Sequence, residues 1–329
     1  MINNRGEISP VFKYIFAIIA GVLILGFFVR FAFKQVDTSE QIESYTEIRS
    51  LEDQLISLSV SSSSVIPVNF YTKNKISLDP VNCDGLVISN NRLSTSQVIF
   101  SPEEFNSNFY IWTMNWKYPF RITNFFYLAD KETLFVLVGE DLAKKLNGVK
   151  DPKTGILNDE AIPEVFSVEY YNNLNVDNIK QYLEDYDKVK VVFIDSKNTL
   201  TMEDSKLEVM EIKTNNKCLE DEEMDCSGDV IIGDKKYFFL GRPSIYAAIF
   251  SSNYGCSYQR ALDKLDFMNS LYALKSSEMA KKDTKSCNYL SLKTLFLTKV
   301  KSPGDYYNKA TQLESANQRL KEVDCNVIF

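Results

Sequence analysis

The chain has 329 residues and a formal net charge of −7, and 45% of its residues are hydrophobic and 13% aromatic. This composition is sufficient for a large buried core and is unlike that of a disordered protein. Histidine is absent, which excludes Ser-His-Asp catalysis and every metal site that needs an imidazole ligand.

Charge and motif content exclude two further classes of function. The charged residues of positions 1–34 sum to +3, so the remaining chain carries −10. An acidic chain without a basic stripe is unsuited to binding phosphate backbones. The chain also lacks G-x-x-x-x-G-K-S/T and G-x-G-x-x-G, the glycine-rich patterns that hold nucleotides. The sequence therefore predicts no nucleic-acid partner, no cofactor and no metal.

The first predicted element is an apolar helix near the N-terminus. Uncharged residues fill the interval between Lys13 and Arg30, and apolar character extends from Val11 to Phe33. As a helix, this segment is about 35 Å long, which is enough to cross a bilayer if both cations reach the interface. The sequence predicts a single-pass transmembrane helix that contacts membrane lipid through residues 11–33.

The residues before this helix resemble a known processing signal. The stretch Arg5-Gly6-Glu7-Ile8-Ser9-Pro10-Val11, followed by the apolar helix, is similar to the N-terminus of archaeal type IV pilin-like proteins. Their class III signal peptide is cut after a Gly that follows a basic residue. The resemblance covers about the first 30 residues. It implies cleavage after Gly6, Glu7 as the new N-terminus, and a helix that anchors the subunit and packs in a filament core.

A helical stalk and a linker are predicted next. Residues 36–58 carry apolar side chains at spacings of three and four, which is typical of an amphipathic helix. The serine-rich residues 59–65, followed by Pro67, predict a linker. The predicted domains are 1–34, an N-terminal tail and anchor; 35–60, a stalk and linker; and 61–329, an extracytoplasmic globular region.

The globular region begins with short segments rich in aromatic and β-branched residues, which predict strands. Helical patterns are interleaved with them, which predicts a βαβ-type α/β fold with a mixed sheet. The predicted strands are 85–88, 98–101, 109–114, 125–128, 134–138 and 189–195, followed by 206–212, 229–232 and 236–240 as antiparallel strands; the predicted helices are 140–146 and 176–186.

The last third of the chain has helical periodicity. Leucine and methionine side chains recur on one face between residues 245 and 281. Two more helices are predicted at 290–299 and 306–323, with Pro303 and Gly304 as a break between them. The predicted fold class is therefore α/β with a helical C-terminal third, on an N-terminal transmembrane helix and stalk.

All six cysteines follow the apolar helix and are candidates for disulfides. Their number is even and no pair has Cys-x-x-Cys spacing, which indicates an oxidising compartment outside the membrane. Cys218 and Cys226 are the best local pair, whereas a straight helix over 257–280 would hold Cys256 and Cys287 too far apart. Pairing among the other four stays open. The six candidates are Cys83, Cys218, Cys226, Cys256, Cys287 and Cys325.

Two segments are candidate binding sites. Residues 105–127 carry ten aromatic residues, among them Trp112, Trp116 and Tyr118. These three are candidates for an exposed partner-binding platform, although a buried strand pair is favoured. The acidic loop 220–229 is a candidate for calcium, although a solvated loop is favoured.

The functional prediction follows from the anchor, the cysteines and the absence of catalytic motifs. We expect a membrane-anchored, extracytoplasmic structural or interaction protein at the cell surface, such as a pilin-like or filament-associated component with protein partners in an assembly. The alternative is a membrane-tethered hydrolase that acts on envelope polymers through paired carboxylates. No residue pair marks such a site, so an enzyme is the less favoured interpretation.

Overall fold

The computed structural model describes the backbone of residues 10–61, 63–71, 75–79, 81–88, 91–148, 161–197, 200, 202–219, 225–283, 287–300 and 302–329. Within that backbone, the side chains of residues 10–13, 16–17, 32–44, 216 and 303 are outside the description. The chain divides into two units, residues 1–50 and 51–329.

The elements in chain order are as follows. The helices are α1 Pro10–Leu58, α2 Asp141–Leu146, α3 Val176–Asp185, α4 Pro243–Phe250, α5 Tyr254–Lys282, α6 Tyr289–Leu297 and α7 Pro303–Glu322, with a 3-10 turn at Asn216–Leu219. The strands are β1 Ser63–Asn69, β2 Ile76–Leu78, β3 Gly85–Ile88, β4 Asn91–Ser94, β5 Val98–Phe100, β6 Glu104–Phe105, β7 Asn108–Lys117, β8 Arg121–Asp130, β9 Thr133–Gly139, β10 Ser167–Tyr171, β11 Lys188–Ile194, β12 Leu207–Thr214, β13 Ser227–Ile232 and β14 Lys235–Leu240.

Helix α1 corrects the prediction of a transmembrane helix. Across the residues whose side chains are described, no helix is both long and apolar enough to cross a membrane. The side chains described between residues 18 and 31 are exposed, except Ala20, which is partly exposed.

The last turns of α1, which belong to residues 51–329, have the predicted amphipathic pattern. Leu51, Leu55 and Leu58 are buried at spacings of four and three, whereas Ile56 is exposed. The helix ends at Leu58, where the serine-rich segment begins. Stability in this section therefore comes from one apolar face rather than from helix propensity alone.

The predicted linker is partly wrong because β1 begins within it. Residues 63–69 pair with β7 in antiparallel register, Ser63 opposite Met114. Pro67 cannot donate a backbone hydrogen bond, so it is compatible only with an edge strand. Strand β1 is at the edge of its sheet, which explains why this proline does not prevent strand formation.

Three sheets form among the described residues of 51–329. Their strand orders are β1-β7-β8-β5, β10-β9-β11-β12-β13-β14 and β4-β3-β2-β6. In the six-stranded sheet, β10, β9, β11 and β12 are parallel, and β13 and β14 are antiparallel additions. The mixed α/β prediction is confirmed for this region. The predicted antiparallel orientation of β12 holds only toward β13, because β12 runs parallel to β11.

The largest core lies between these sheets and the C-terminal helices. Every residue of β9 is buried, and so is every residue of α4. Aromatic rings fill the space between β7, β8 and α4; Trp112 lies 4.9 Å from Tyr246 between ring centroids. Rings of this size bury large apolar areas and dominate core stability.

The helical C-terminal third is confirmed, with two differences in its boundaries. The predicted helix from residue 245 is two helices, because Ser251 is extended and ends α4 before α5 begins at Tyr254. The predicted break at Pro303 is instead the first turn of α7. A proline is favourable there because its missing N–H has no helical partner in any case, and Ser302 and Asp305 form a capping box.

Candidate functional site

A cavity of about 460 Å³ opens beside the amino-terminal halves of β11 and β12. Its charged lining residues are Asp79, Glu103, Lys190 and Glu208, and its apolar wall includes Met210 and Ile232. Concave sites that combine an apolar wall with a few polar groups are where ligands usually bind. This cavity is therefore the candidate functional site.

Lys190 is the buried cation of the site. The alternation of β11 places it on the same face as Val192 and Ile194, among apolar side chains, and only 3% of the residue is exposed. Its Nζ donates to the carbonyl oxygen of Ala248 at 3.1 Å and to that of Ser251. These carbonyls are at the C-terminal end of α4, where the helix dipole favours a positive charge.

Glu208 is directly opposite Lys190 on the neighbouring strand. The register of β11 and β12 pairs the two residues, and Oε2 of Glu208 is 3.7 Å from Nζ of Lys190. The hydroxyl of Ser252 donates to the other carboxylate oxygen of Glu208. Both charges are thus partnered within the protein, which offsets part of the cost of burying Lys190.

Burial sets the protonation behaviour of Lys190. Loss of water lowers the pKa of its ammonium group from 10.5 to about 8, although the nearby Glu208 carboxylate opposes this shift. The ammonium remains the main form at neutral pH. It holds Glu208 and the end of α4 together rather than pointing a free amine into the cavity.

Asp79 is held in a separate network. Its carboxylate accepts a hydrogen bond from the backbone N–H of Val81 at 2.9 Å and is 2.6 Å from the Arg92 guanidinium. The Val81 hydrogen bond is the main cause that lowers the pKa of Asp79, with burial opposing it and Arg92 adding to it. Asp79 is therefore a stable carboxylate and unsuited to donate a proton near neutral pH.

The cavity is suited to binding rather than to acid/base chemistry. Asp79, Lys190 and Glu208 already have protein partners. A general acid needs a carboxyl group whose pKa is raised toward the working pH. The lowered pKa of Asp79 is the opposite condition. The site can accept a ligand with an apolar surface and a positive group, since carboxylates outnumber cations in its lining.

The six predicted cysteines form three pairs at disulfide distance. The local pair Cys218–Cys226 is confirmed, with Cα atoms 4.3 Å apart. The open set resolves into two long-range pairs, Cys83–Cys256 at 6.0 Å and Cys287–Cys325 at 6.2 Å. The expectation that Cys256 and Cys287 do not pair with each other is also confirmed.

The three aromatic candidates for partner binding lie in the core. Trp112, Trp116 and Tyr118 are each at most 3% exposed. Trp116 stacks on Phe125 at 5.0 Å and its indole N–H donates to the Leu240 carbonyl at 2.9 Å. The buried strand pair, the favoured interpretation of this segment, agrees with these positions.

Other predicted positions lie outside the described residues. These are the processing residues Gly6 and Glu7, and residues 220–224 of the acidic loop. Within the described residues, no group of three or more Cys, Asp or Glu is arranged to hold a metal ion.

Sequence reasoning missed the Lys190–Glu208 pair. The available signal was a lysine within the strand sequence Lys188-Val189-Lys190-Val191-Val192-Phe193-Ile194, because a charge in a run buried on both faces requires a partner. The partner itself depends on strand register, which the sequence does not specify.

Comparison with known proteins finds no family model, curated protein or solved structure that matches this chain.

Proposed function

We propose that this chain is an extracytoplasmic structural or interaction protein that associates with a lipid membrane. The observation that carries the proposal is that all six cysteines are in disulfide pairs. Disulfides persist in oxidising compartments and are rare where glutathione and thioredoxin keep thiols reduced. Two of the pairs join positions that are far apart in sequence, 173 and 38 residues, as expected for structural bonds.

The exposed section of α1 supports membrane association. Val22, Leu23, Ile24 and Leu25 are consecutive, and each is at least 58% exposed. Successive helix positions are about 100° apart, so these four apolar side chains surround the helix axis. Exposed apolar surface of this kind favours contact with the apolar layer of a membrane. Transfer of this surface from water to lipid is favourable by roughly 25 cal/mol per Å².

Binding is a better account of the cavity than hydrolysis by paired carboxylates. A glycoside hydrolase needs one carboxyl group that stays protonated and one that is free to attack or to activate water. In this cavity Asp79 is held as an anion by the N–H of Val81 and by Arg92, and Glu208 is bound by Lys190 and Ser252. The pilin-like N-terminus adds a finer proposal, cleavage after Gly6 and association with a filament.

Surface labelling of intact cells tests the location. A membrane-impermeant amine reagent is added to cells that produce the protein, and labelled peptides are identified by mass spectrometry. We expect labelling at Lys235 and Lys321, which are both exposed, without prior lysis. Labelling only after lysis would contradict the extracytoplasmic location.

Flotation with phospholipid vesicles tests membrane association separately. Purified full-length protein is mixed with vesicles and centrifuged through a density gradient. We expect the protein to float with the vesicles at high salt, because the contact is apolar and is not screened. Protein that stays at the bottom of the gradient would contradict the proposed lipid contact.

A further inference from the structure

Strand β12 has an open edge over its first half. Residues 207–212 of β12 pair with β11, but only residues 211–214 pair with β13. Strand β13 turns into β14 at Gly233, which has a φ of 56°, and its last pair is Ile232 with Lys235. Among the described residues, no strand pairs with residues 207–210 on the side away from β11. The hairpin turn thus ends β13 too early to cover β12.

The backbone at this edge offers free hydrogen-bonding groups. The N–H groups of Val189 and Asp195 donate to the carbonyls of Lys206 and Ile212, so the peptide groups of even-numbered β12 residues point toward β11. Because peptide groups alternate along a strand, the N–H and C=O of Val209 point to the open side. An unpaired strand edge of this kind is a template for another strand.

A cavity flanks the edge on each face of the sheet. Glu208 and Ile232 line the cavity described above, on the face that packs against α4. A second cavity of about 570 Å³ is lined by Phe193, Glu211 and Ile231 on the opposite face. Val209 and Met210, at the open edge, line both cavities. Side chains of a strand alternate between the two faces. A strand added beside Val209 would therefore place one side chain in each cavity.

The two cavities differ in charge. In the first, Asp79 is paired with Arg92 and Glu208 with Lys190, and the carboxylate of Glu103 adds a negative charge. In the second, Lys213 is paired with Glu211 at 3.2 Å, and the ammonium of Lys197 adds a positive charge. The first therefore favours a basic side chain and the second an acidic one.

We propose that the open edge of β12 binds an extended segment of a partner polypeptide as an added strand, with a basic side chain in the first cavity and an adjacent acidic side chain in the second. Main-chain hydrogen bonds to Val209 supply part of the affinity, and the cavities supply specificity. This inference rests on the proposed interaction function and names the surface that carries it.

Peptide selection tests the proposal with a defined probe. A phage-displayed library of random heptapeptides is selected against the full-length protein in detergent micelles. We expect enrichment of peptides with adjacent basic and acidic residues. We also expect selected peptides to slow amide hydrogen exchange at Val209, and to lose binding when the peptide bonds facing Val209 are N-methylated.

Charge-reversal variants separate specific binding from a general charge effect. We expect Glu103→Lys and Lys197→Glu each to weaken peptide binding at least tenfold, and Glu314→Lys on α7 to leave it unchanged. All three side chains are exposed, so folding is not at risk, and near-UV circular dichroism verifies this. A peptide whose basic residue is changed to an acidic one should regain binding to Glu103→Lys.

Three results would overturn the proposal. The first is that no peptide is enriched on the wild-type protein over the Glu103→Lys variant. The second is that bound peptides leave exchange at Val209 unchanged. The third is that the protein dimerises through this edge and Glu103→Lys dissociates the dimer, which would make a second copy the occupant. Surface labelling and vesicle flotation would be unaffected by any of these results, so they test the proposed function independently.

Discussion

Apolar side chains have opposite environments in the two units of this chain. Phe27 and Phe28 of α1 are 66% and 60% exposed, whereas Phe125 and Phe126 of β8 have no exposed surface. The residue type is the same in both places. The phenylalanines of β8 pack inside residues 51–329, whereas Phe27 contacts the rings of Phe28 and Phe31 in the same helix and remains exposed. The rings of β8 therefore stabilise a fold, whereas the rings of α1 leave apolar surface exposed.

The largest expected effect is on association. Replacing both Leu23 and Phe27 with glutamate removes two exposed apolar side chains from the section of α1 discussed above. Each apolar side chain contributes roughly 2 kcal/mol to transfer into lipid, and each glutamate adds a cost of roughly 2 kcal/mol for placing a carboxylate there. We therefore expect vesicle affinity to fall at least about a thousandfold. The same pair of changes should leave the near-UV circular dichroism of residues 51–329 unchanged.

The matched control places the same charges elsewhere. Val60 and Val81 are each 78% exposed and lie outside that section. Replacing both with glutamate should leave flotation at the wild-type level. Equal losses of flotation for the two double variants would contradict the proposed lipid contact of α1. Any pair of exposed apolar residues would then have the same effect in either unit.

The next effect concerns the disulfides of residues 51–329. Cys83 and Cys256 are 173 residues apart in sequence, whereas Cys218 and Cys226 are only 8 apart. Removing the first disulfide therefore opens a much longer loop in the unfolded chain. The chain-entropy model gives losses in unfolding free energy of about 5 and about 2.5 kcal/mol. Cys83, Cys218 and Cys226 are buried and Cys256 is partly exposed. Urea denaturation of the two double alanine variants measures each loss. Equal losses would contradict the entropic account.

A smaller effect is expected from one core ring. Trp116 has no exposed surface, stacks on Phe125 and donates to the Leu240 carbonyl. Trp116→Ala should lower the unfolding free energy by about 4 kcal/mol, through lost burial and the cavity that remains. Phe267→Ala on α5 is the control, because that ring is 68% exposed, and should cost less than about 1 kcal/mol. Similar losses of unfolding free energy for Trp116→Ala and Phe267→Ala would contradict the account, because burial would then not determine the loss.

The smallest expected effect is a pH dependence at Lys190. Its pKa is about 8 when folded and 10.5 when unfolded, so the unfolded state binds more protons between these values. Unfolding free energy should therefore rise with pH, by about 2 kcal/mol between pH 7.5 and 9.5 relative to the Lys190→Met variant. Denaturation of both proteins at the two pH values measures this difference. The difference in unfolding free energy between the wild type and Lys190→Met should rise with pH. A difference that falls with pH or stays constant would contradict the burial of a charged Lys190 beside Glu208.

Much of the fold of residues 51–329 could be predicted from local patterns. The segments around β7, β8, β9 and β11 are short, aromatic or β-branched, and they form strands where predicted. The local disulfide Cys218–Cys226 was also predictable, because eight residues separate the two cysteines. These features depend on interactions close in sequence.

The features that were missed depend on contacts between distant segments. Strand β1 forms because β7 offers a pairing edge, which overrides the serine content of its sequence. The pairs Cys83–Cys256 and Lys190–Glu208 require the register of the sheets and the position of α4 and α5. The transmembrane prediction rested on hydropathy between Val11 and Phe33, whereas among the residues described no helix is long and apolar enough to cross a membrane.

The central claim is that residues 51–329 are a disulfide-bonded fold outside the cytoplasm. The most direct measurement is the intact mass of the protein from its native cells, after thiol alkylation with and without reduction. The account predicts no alkylated cysteine before reduction and six after it. Six alkylated cysteines before reduction would contradict it. The same spectrum reports whether residues 1–6 have been removed, as the pilin-like N-terminus predicts.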